Sequence, residues 1–148
     1  MGVLGDQRMK PLAYAFVLGL LAVPALAQQA SDLNGQWHAR VIANGNTIDT
    51  VVVINGQQYS MTVTEVTSQG YQYATSQAGQ FYFTPPGHLG FQVLDWSPKD
   101  YQGQPMSMPP NSNVTIERMD EQTLVVTDDL CMRNSPGAQC AATFVREL

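Results

Sequence analysis

The sequence predicts an all-β protein, and the favoured architecture is an antiparallel up-and-down barrel of about eight or nine strands. After the signal-like first 30 residues, short alternations of apolar and polar residues recur roughly every 8 to 12 residues between Gly, Asn and Pro. No window of this part has a sustained helical period. Closing such a sheet removes the edges that favour aggregation. A two-sheet β-sandwich is the alternative, because alternation and turn spacing fit both folds.

The turn signals divide this part of the chain into nine predicted strands. Asn55-Gly56 is the strongest hairpin signal, because both central residues of a type I′ turn need a positive φ. Asn44-Gly45-Asn46 predicts a similar turn before it. The predicted strands are 36–43, 47–54, 57–67, 71–76, 79–84, 89–96, 113–119, 122–128 and 140–147.

Side-chain alternation assigns one face of each strand to the interior. In the first strand Trp37 and Ala39 share the inward face, and His38 and Arg40 point outward. The same alternation favours these later residues as core: Tyr59, Met61, Val63, Phe81, Phe83, Leu89, Phe91 and Val93.

The first 27 residues have the features of a secretory signal peptide. Arg8 and Lys10 precede an apolar run, and the small-x-small triplet Ala25-Leu26-Ala27 follows it. The run is too short to span a bilayer, which needs about 20 residues. Because Gln28 follows the expected cut and is not Cys, we expect no lipid or membrane anchor after cleavage. Residues 28–148 are then one domain, periplasmic or secreted.

The charge balance argues against nucleic acid as a partner. Residues 28–148 contain five Lys and Arg against eleven Asp and Glu, a formal charge of −6. Nucleic-acid binding depends on basic clusters that neutralise phosphate. Charged residues are only 13% of the whole chain.

Cys131 and Cys140 are the only two cysteines. In an exported protein such a pair predicts a disulfide, here across the last hairpin. We expect a structural role, because redox-active pairs are usually as close as Cys-x-x-Cys.

The Gly35-Gln36-Trp37 motif at the start of the first strand, behind a signal peptide, resembles that of lipocalins. The chain resembles a lipocalin-like (calycin-type) small secreted β-barrel of the kind found among short bacterial periplasmic proteins. The resemblance implies that Trp37 packs across the closed end of the barrel. It also implies that an arginine near the last strand stacks on Trp37, and Arg146 is the candidate. The resemblance concerns the first strand and the general succession of strands.

Few residues suggest catalysis. His38 and His88 are the two histidines, and neither lies beside a nucleophile-elbow signature. Acidic pairs such as Asp120-Glu121 fall at predicted strand ends, where solvated turn residues are common. The sequence therefore predicts a protein that is not an enzyme and has no cofactor.

A metal site is a weaker alternative. Met106-Ser107-Met108, with His88 upstream, offers soft ligands that suit Cu(I) or Ag(I). The pattern resembles periplasmic copper and silver chaperones, in which a Trp caps a Met-x-Met and His site. In that family the Trp stands a few residues before the Met pair, whereas ten positions separate Trp96 from Met106. Packing of the methionines onto the barrel is the simpler interpretation.

A binding role remains, because a barrel of about eight strands either fills with side chains or holds one small ligand. A small apolar or amphipathic molecule is the first expectation. The alternative is that this protein is an envelope protein-binding or inhibitor module. It would then contact its partner through the long loop 97–112, which is rich in Pro and Gly. The candidate ligand-binding residues are Tyr59, Phe81, Phe83, Phe91, Trp96 and Tyr101.

Intact-mass measurement of the exported protein is expected to give a chain that begins at Gln28 and holds a Cys131–Cys140 bond. Alkylation should then add no mass before reduction and should label two thiols after it. A retained segment 1–27 would contradict the signal peptide. Two thiols labelled without reduction would contradict the disulfide.

Overall fold

The computed structural model describes residues 30–135 and 139–148. The predicted signal peptide and its cleavage site lie outside the described residues. Within these residues the elements, in chain order, are a 3₁₀ helix Ala30–Leu33, β1 Gly35–Ala43, β2 Asn46–Asn55, β3 Gln58–Val66, β4 Gln72–Thr84, β5 His88–Ser97, β6 Asp100–Tyr101, β7 Gln104–Pro105, β8 Ser112–Met119, β9 Thr123–Asp128, the helix α1 Asp129–Asn134 and β10 Ala141–Glu147.

Eight of the strands form one closed antiparallel barrel, in the order β1-β10-β9-β8-β5-β4-β3-β2. Each barrel strand pairs with the strands before and after it along the chain, and β1 pairs with β10 to close the ring. The two-residue strands β6 and β7 form a separate small hairpin inside the long loop. The predicted up-and-down barrel is thus confirmed, and the β-sandwich alternative is wrong.

The two tight turns before β3 are of different types. In the β1–β2 turn the central residues Asn44 and Gly45 have φ values of 53° and 79°, as a type I′ turn requires. In the β2–β3 turn Asn55 still pairs with Gln58, so the central residues are Gly56 and Gln57. Only Gly56 has a positive φ there, which fits a type II′ turn. The prediction of Asn55-Gly56 as a central I′ pair is therefore wrong by one position.

The predicted strands 71–76 and 79–84 are one continuous strand, β4. In the sequence Gly79 looks like a break between two strands, but in the structure it accommodates a β-bulge. There Gly79 pairs with Val93 and Ala78 pairs with Asp95. A Cβ on Gly79 would lie 1.8 Å from the Gln92 carbonyl oxygen. Glycine is required at this position because the two backbones approach too closely for a side chain.

The predicted last hairpin instead contains the short helix α1. The Asp128 side chain caps it by accepting a hydrogen bond from the Cys131 N–H at 2.6 Å. The predicted Cys131–Cys140 disulfide is confirmed, with its Cα atoms 5.5 Å apart. It joins α1 to the residue before β10 and so bridges the connection between the paired strands β9 and β10, as predicted. A helix of six residues is too short to show a period in the sequence.

The inward faces agree with the predicted alternation in the first strand. Trp37 and Ala39 are buried, Arg40 is exposed, and His38 is half-buried. The inward aromatic side chains of β3, β4 and β5 contact one another. The Phe91 ring centroid lies 4.9 Å from that of Tyr59, edge-on, and 5.6 Å from that of Phe81. These three rings form the aromatic side of the core.

Within the described residues, no helix combines the length and the apolar character needed to cross a bilayer.

Substituting Gly79 by Ala is expected to lower the free energy of unfolding by about 1–3 kcal/mol, because the new methyl group would force the backbones of β4 and β5 apart. Urea denaturation measures this loss. Gly90→Ala is the matched control on β5, since the nearest atom to its Cβ would be in the movable Asn113 side chain, at 3.3 Å, and Tyr82 would be at ordinary contact distance. Equal stability of the two variants would contradict the close approach at Gly79.

Candidate ligand-binding cavity

The barrel encloses a cavity of about 320 Å³, here called the main cavity. Every barrel strand contributes at least one side chain to its wall, and the loop before β8 contributes two prolines. The lining residues are Trp37, Val52, Ile54, Met61, Gln77, Leu89, Phe91, Pro109, Pro110, Ser112, Val114, Leu124, Val126, Asp128 and Phe144.

Unequal side-chain volume around the ring explains why this space is unfilled. The inward aromatic residues Tyr59, Phe81 and Phe91 belong to neighbouring strands and contact one another on one side. The strands β2, β8 and β9 place smaller valines inward, at 52, 114 and 126. Valines reach less far toward the axis than phenyl rings do, so a gap remains in front of them.

One end of the barrel is closed by Trp37. Its ring is fully buried, and its indole N–H donates to the Leu33 carbonyl oxygen at 2.8 Å. The Arg146 guanidinium carbon lies 4.1 Å from the centroid of the Trp37 ring, a cation–π contact. The 3₁₀ helix that carries Leu33 therefore covers this end of the main cavity.

Arg146 is held in place by backbone carbonyls of segments far apart in sequence. Its Nε donates to the Glu121 carbonyl at 2.8 Å, its Nη2 donates to the Asp32 carbonyl at 2.6 Å, and its Nη1 donates to the Asn34 carbonyl. Gly35 makes room for this side chain, because a Cβ there would lie 2.9 Å from Nη1. Gly35 also has a φ of 126°, which other residues rarely adopt.

Three polar side chains interrupt the apolar wall: Gln77, Ser112 and Asp128. The Gln77 amide donates to the Tyr59 hydroxyl at 3.2 Å. Burial raises the pKa of the Tyr59 phenol, and the bond from Gln77 opposes that shift. Tyr59 therefore stays a neutral hydroxyl beside the main cavity at physiological pH.

The segment after β7 covers the end of the barrel opposite Trp37. Pro109 and Pro110 border the main cavity, and the Asn111 side chain accepts a hydrogen bond from the Val93 N–H at 2.9 Å. The Met106 N–H donates to the Lys99 carbonyl at 2.9 Å. These bonds tie both ends of the segment 106–111, here called the lid, to the barrel and its small hairpin.

A crevice of about 50 Å³, the lid crevice, lies between the lid and the barrel. Met61, Gln77 and Pro109 border both the main cavity and the lid crevice. The two spaces are therefore neighbours across shared side chains. Trp96 and Met106 also line the lid crevice.

The bulge at Gly79 turns Trp96 toward this crevice. Phe91 and Val93 face inward, so uninterrupted alternation would place Asp95 inward and Trp96 outward. Because the bulge shifts the register, Trp96 pairs with Gln77, which lines the main cavity. The Trp96 indole N–H is buried, and among the described residues no group accepts its hydrogen bond. A buried donor left in this way costs about 1–3 kcal/mol.

A cation lies against the Trp96 ring. The Lys99 ammonium is 3.4 Å from the ring centroid and 2.7 Å from an Asp95 carboxylate oxygen. The hydrogen bond from Lys99 holds the pKa of Asp95 below its usual value. The Lys99 charge is thus already paired.

The six candidate ligand-binding residues occupy different places. Phe91 lines the main cavity, and Tyr59 and Phe81 support it from behind through ring contacts. Phe83 packs against the same core without lining the cavity. Trp96 borders the lid crevice. Tyr101 is 47% exposed in the small hairpin, with its ring 6.3 Å from that of Tyr73.

The weaker metal candidates are not brought together. His88 begins β5, whereas Met106 lies beside Trp96 near the other end of that strand, roughly 25 Å away along the strand axis. Met108 is half exposed on the lid. Within the described residues, no three His, Cys, Asp or Glu side chains cluster as metal ligands.

Neither histidine is arranged to activate a nucleophile. His38 Nε2 lies 3.0 Å from Asp49 on the outer face, and the pKa of Asp49 is lowered by its hydrogen bonds from Arg40 and then His38. The Thr115 hydroxyl lies 3.2 Å from His88 but donates its proton to Asp129, at 2.9 Å. A hydroxyl directed at a carboxylate does not give its proton to the imidazole, as a catalytic triad requires.

The architecture is a closed eight-stranded up-and-down barrel whose Gly-x-Trp tryptophan is stacked by an arginine of the last strand. The fold is lipocalin-like. No protein-family model matches the chain, and no curated protein matches it. Among solved structures, lobster apocrustacyanin A1, a lipocalin, is similar at 13% sequence identity and a TM-score of 0.39. The match covers 80% of this chain and 63% of the lobster protein, so this chain spans less than two thirds of that protein's length.

Sequence reasoning emphasised aromatic residues and did not name the aliphatic wall of this lipocalin-like barrel. Val52, Ile54, Leu124 and Val126 line the main cavity. Their alternation along β2 and β9 marks them as inward residues. Alternation alone does not tell a residue that borders a cavity from one that is packed on every side.

Replacing Arg146 by Lys is expected to lower the free energy of unfolding by about 2–3 kcal/mol, because an ammonium cannot reach three separated carbonyls in the planar geometry of a guanidinium. Urea denaturation followed by tryptophan fluorescence measures this loss. Arg118→Lys, at an exposed site on β8, is the matched control. Similar losses in both variants would contradict the role of Arg146 in closing the barrel.

Proposed function

We propose that this protein is an exported, non-enzymatic binding protein that holds a small apolar or amphipathic molecule inside its barrel. The observation that carries the proposal is the main cavity, about 320 Å³ of apolar space between the Trp37 end and the lid. This volume lies at the lower end of the range typical of small-molecule sites. Its wall also combines apolar side chains with a few polar groups, as such sites do.

The expected affinity is modest. Burying about 200 Å² of apolar ligand surface favours binding by roughly 5 kcal/mol, and the costs of association are of comparable size. Because the cavity is enclosed by strands already paired on both sides, little of the barrel needs to be ordered when a ligand enters. Preformed space of this kind lowers the ordering part of those costs and so favours binding.

Two features support the exported and non-enzymatic parts of the proposal. The Cys131–Cys140 disulfide favours an oxidising compartment, which is consistent with residues 1–27 as a signal peptide and with a periplasmic or secreted domain 28–148. Neither histidine borders the main cavity. The one carboxylate that the described residues place in its wall, Asp128, accepts the Cys131 N–H as the cap of α1, which is a structural role.

The alternative functions have less support. Exposed Tyr101 and Met108 would suit a protein contact by the loop 97–112, but Pro109 and Pro110 of the same loop border the main cavity. A loop that completes a cavity wall favours small-molecule binding. The distance of His88 from Met106 disfavours the Cu(I) or Ag(I) site.

Substituting Val52 by Phe is expected to weaken binding of the fluorescent probe N-phenyl-1-naphthylamine at least tenfold, because the larger ring would occupy the main cavity. Titration of probe fluorescence measures the dissociation constant. Val53→Phe is the matched control, since Val53 is the next residue on β2 and faces outward, 37% exposed. That variant should bind as the unmodified protein does.

Val126→Phe repeats the test from another strand, β9, with thermal unfolding as a check that each variant is folded. If folded Val52→Phe and Val126→Phe bind the probe as tightly as Val53→Phe does, the main cavity is not the binding site. Absence of probe binding to the unmodified protein would also reject the proposal.

A further inference from the structure

The Trp96 indole N–H and the space beside it indicate the chemistry of the ligand. We propose that the main cavity and the lid crevice together take an uncharged apolar molecule with a carbonyl oxygen, and that Trp96 Nε1–H donates a hydrogen bond to that oxygen. This inference rests on the proposed function, which it narrows from apolar molecules in general to neutral carbonyl compounds.

The first support is the unsatisfied donor itself. Buried polar groups in proteins nearly always have a hydrogen-bond partner, and one without a partner calls for an explanation. The other tryptophan provides a comparison, because Trp37 Nε1–H donates to the Leu33 carbonyl at 2.8 Å. Among the described residues, Trp96 Nε1 is the buried side-chain nitrogen or oxygen that has no such partner.

The second support is the position of Trp96 in a crevice that adjoins the main cavity. Met61, Gln77 and Pro109 separate the lid crevice from the main cavity and border both. Gln77 is the direct cross-strand neighbour of Trp96. A molecule whose apolar body fills the main cavity would therefore bring one polar substituent to Trp96 once the side chains between the two spaces move aside.

The charges around the two spaces favour an uncharged ligand. Among the residues that the structure describes, no Lys, Arg or His lines the main cavity or the lid crevice, whereas the Asp128 carboxylate lines the main cavity. The Lys99 ammonium near the Trp96 ring is paired with Asp95 at 2.7 Å. A carboxylate ligand would lose its hydration without gaining an unpaired cation. A neutral carbonyl accepts the same hydrogen bond without that cost.

Three probes of nearly equal shape test the proposal: a methyl naphthyl ketone, the matching ethylnaphthalene and the matching naphthoate. Their affinities are measured by calorimetry on the protein with its disulfide formed. Proton–nitrogen correlation spectra then report the two indole N–H groups, and the spectrum of Trp96→Phe identifies the Trp96 signal. The ketone is expected to bind more tightly than either other probe, by about fivefold to tenfold over ethylnaphthalene, the gain from one buried hydrogen bond.

The spectral difference between the ketone and ethylnaphthalene complexes isolates the hydrogen bond, because both probes carry the same ring system. The Trp96 indole proton should lie further downfield in the ketone complex. The Trp37 indole proton, already bonded to Leu33, should have the same position in both. In Trp96→Phe the ratio of ketone to ethylnaphthalene affinity should fall about fivefold to tenfold. Tyr82→Phe, which removes a hydroxyl from the outer face of β4, should keep the ratio of the unmodified protein.

The outcomes separate the two proposals. Equal binding of ketone and ethylnaphthalene, with no difference at the Trp96 signal, overturns the role of Trp96 and leaves the main cavity as a binding site. Tighter binding of naphthoate than of the ketone overturns the preference for an uncharged ligand. Failure of all three probes to bind rejects the cavity function itself. If Trp96→Phe does not fold, the ratio of ketone to ethylnaphthalene affinity in the unmodified protein still decides the question.

Discussion

The pairing of β1 with β10 is the constraint on which the rest of this structure depends. It closes the ring of eight strands, and its register places Trp37 directly opposite Arg146. The backbone hydrogen bonds that complete the barrel therefore also bring the arginine to the indole and to the carbonyls of the 3₁₀ helix segment. Strand spacing is nearly invariant, so a closed ring of eight also sets the width of the interior. Closure, the covered end and the available internal space are consequences of one pairing.

What occupies that space depends on the side chains. Aromatic rings meet on the side of β3, β4 and β5, whereas the flanking strands β2 and β8, and β9 beyond β8, place valines inward. Apolar walls without partner atoms lose dispersion contacts, which a ligand of suitable shape would restore. This distribution of large and small residues therefore lowers the stability of the unliganded protein. This loss of stability is consistent with selection for an internal site, because a larger residue in place of Val52 or Val126 would have filled the gap.

The sequence predicted the fold well because the signals for strands and turns lie within short stretches of residues. Alternation and Asn-Gly turns report the strands directly, and the number of strands favours closure. The errors arose where a local signal had two meanings. Gly79 looks like a break between strands but accommodates a bulge, and the six-residue helix α1 is too short to produce a period.

The site was less predictable than the fold, because inward alternation identifies Phe91 and Val52 equally and does not reveal the empty volume between them. The N–H of Trp96 is unsatisfied only through three-dimensional packing, which no sequence pattern reports.

The bulge at Gly79 connects the barrel to the lid. Without it, strict alternation would direct Trp96 to the outer surface and Asp95 to the interior. With it, Trp96 contacts the lid crevice while Asp95 remains outside and pairs with Lys99, whose carbonyl accepts the Met106 N–H. One residue without a side chain thus orients an indole inward and, through the same strand end, fixes the start of the lid. Because a Cβ at Gly79 would strike the Gln92 carbonyl, this arrangement cannot be kept with any other residue at that position. Gly79 is therefore as much a part of the candidate site as the side chains that line it.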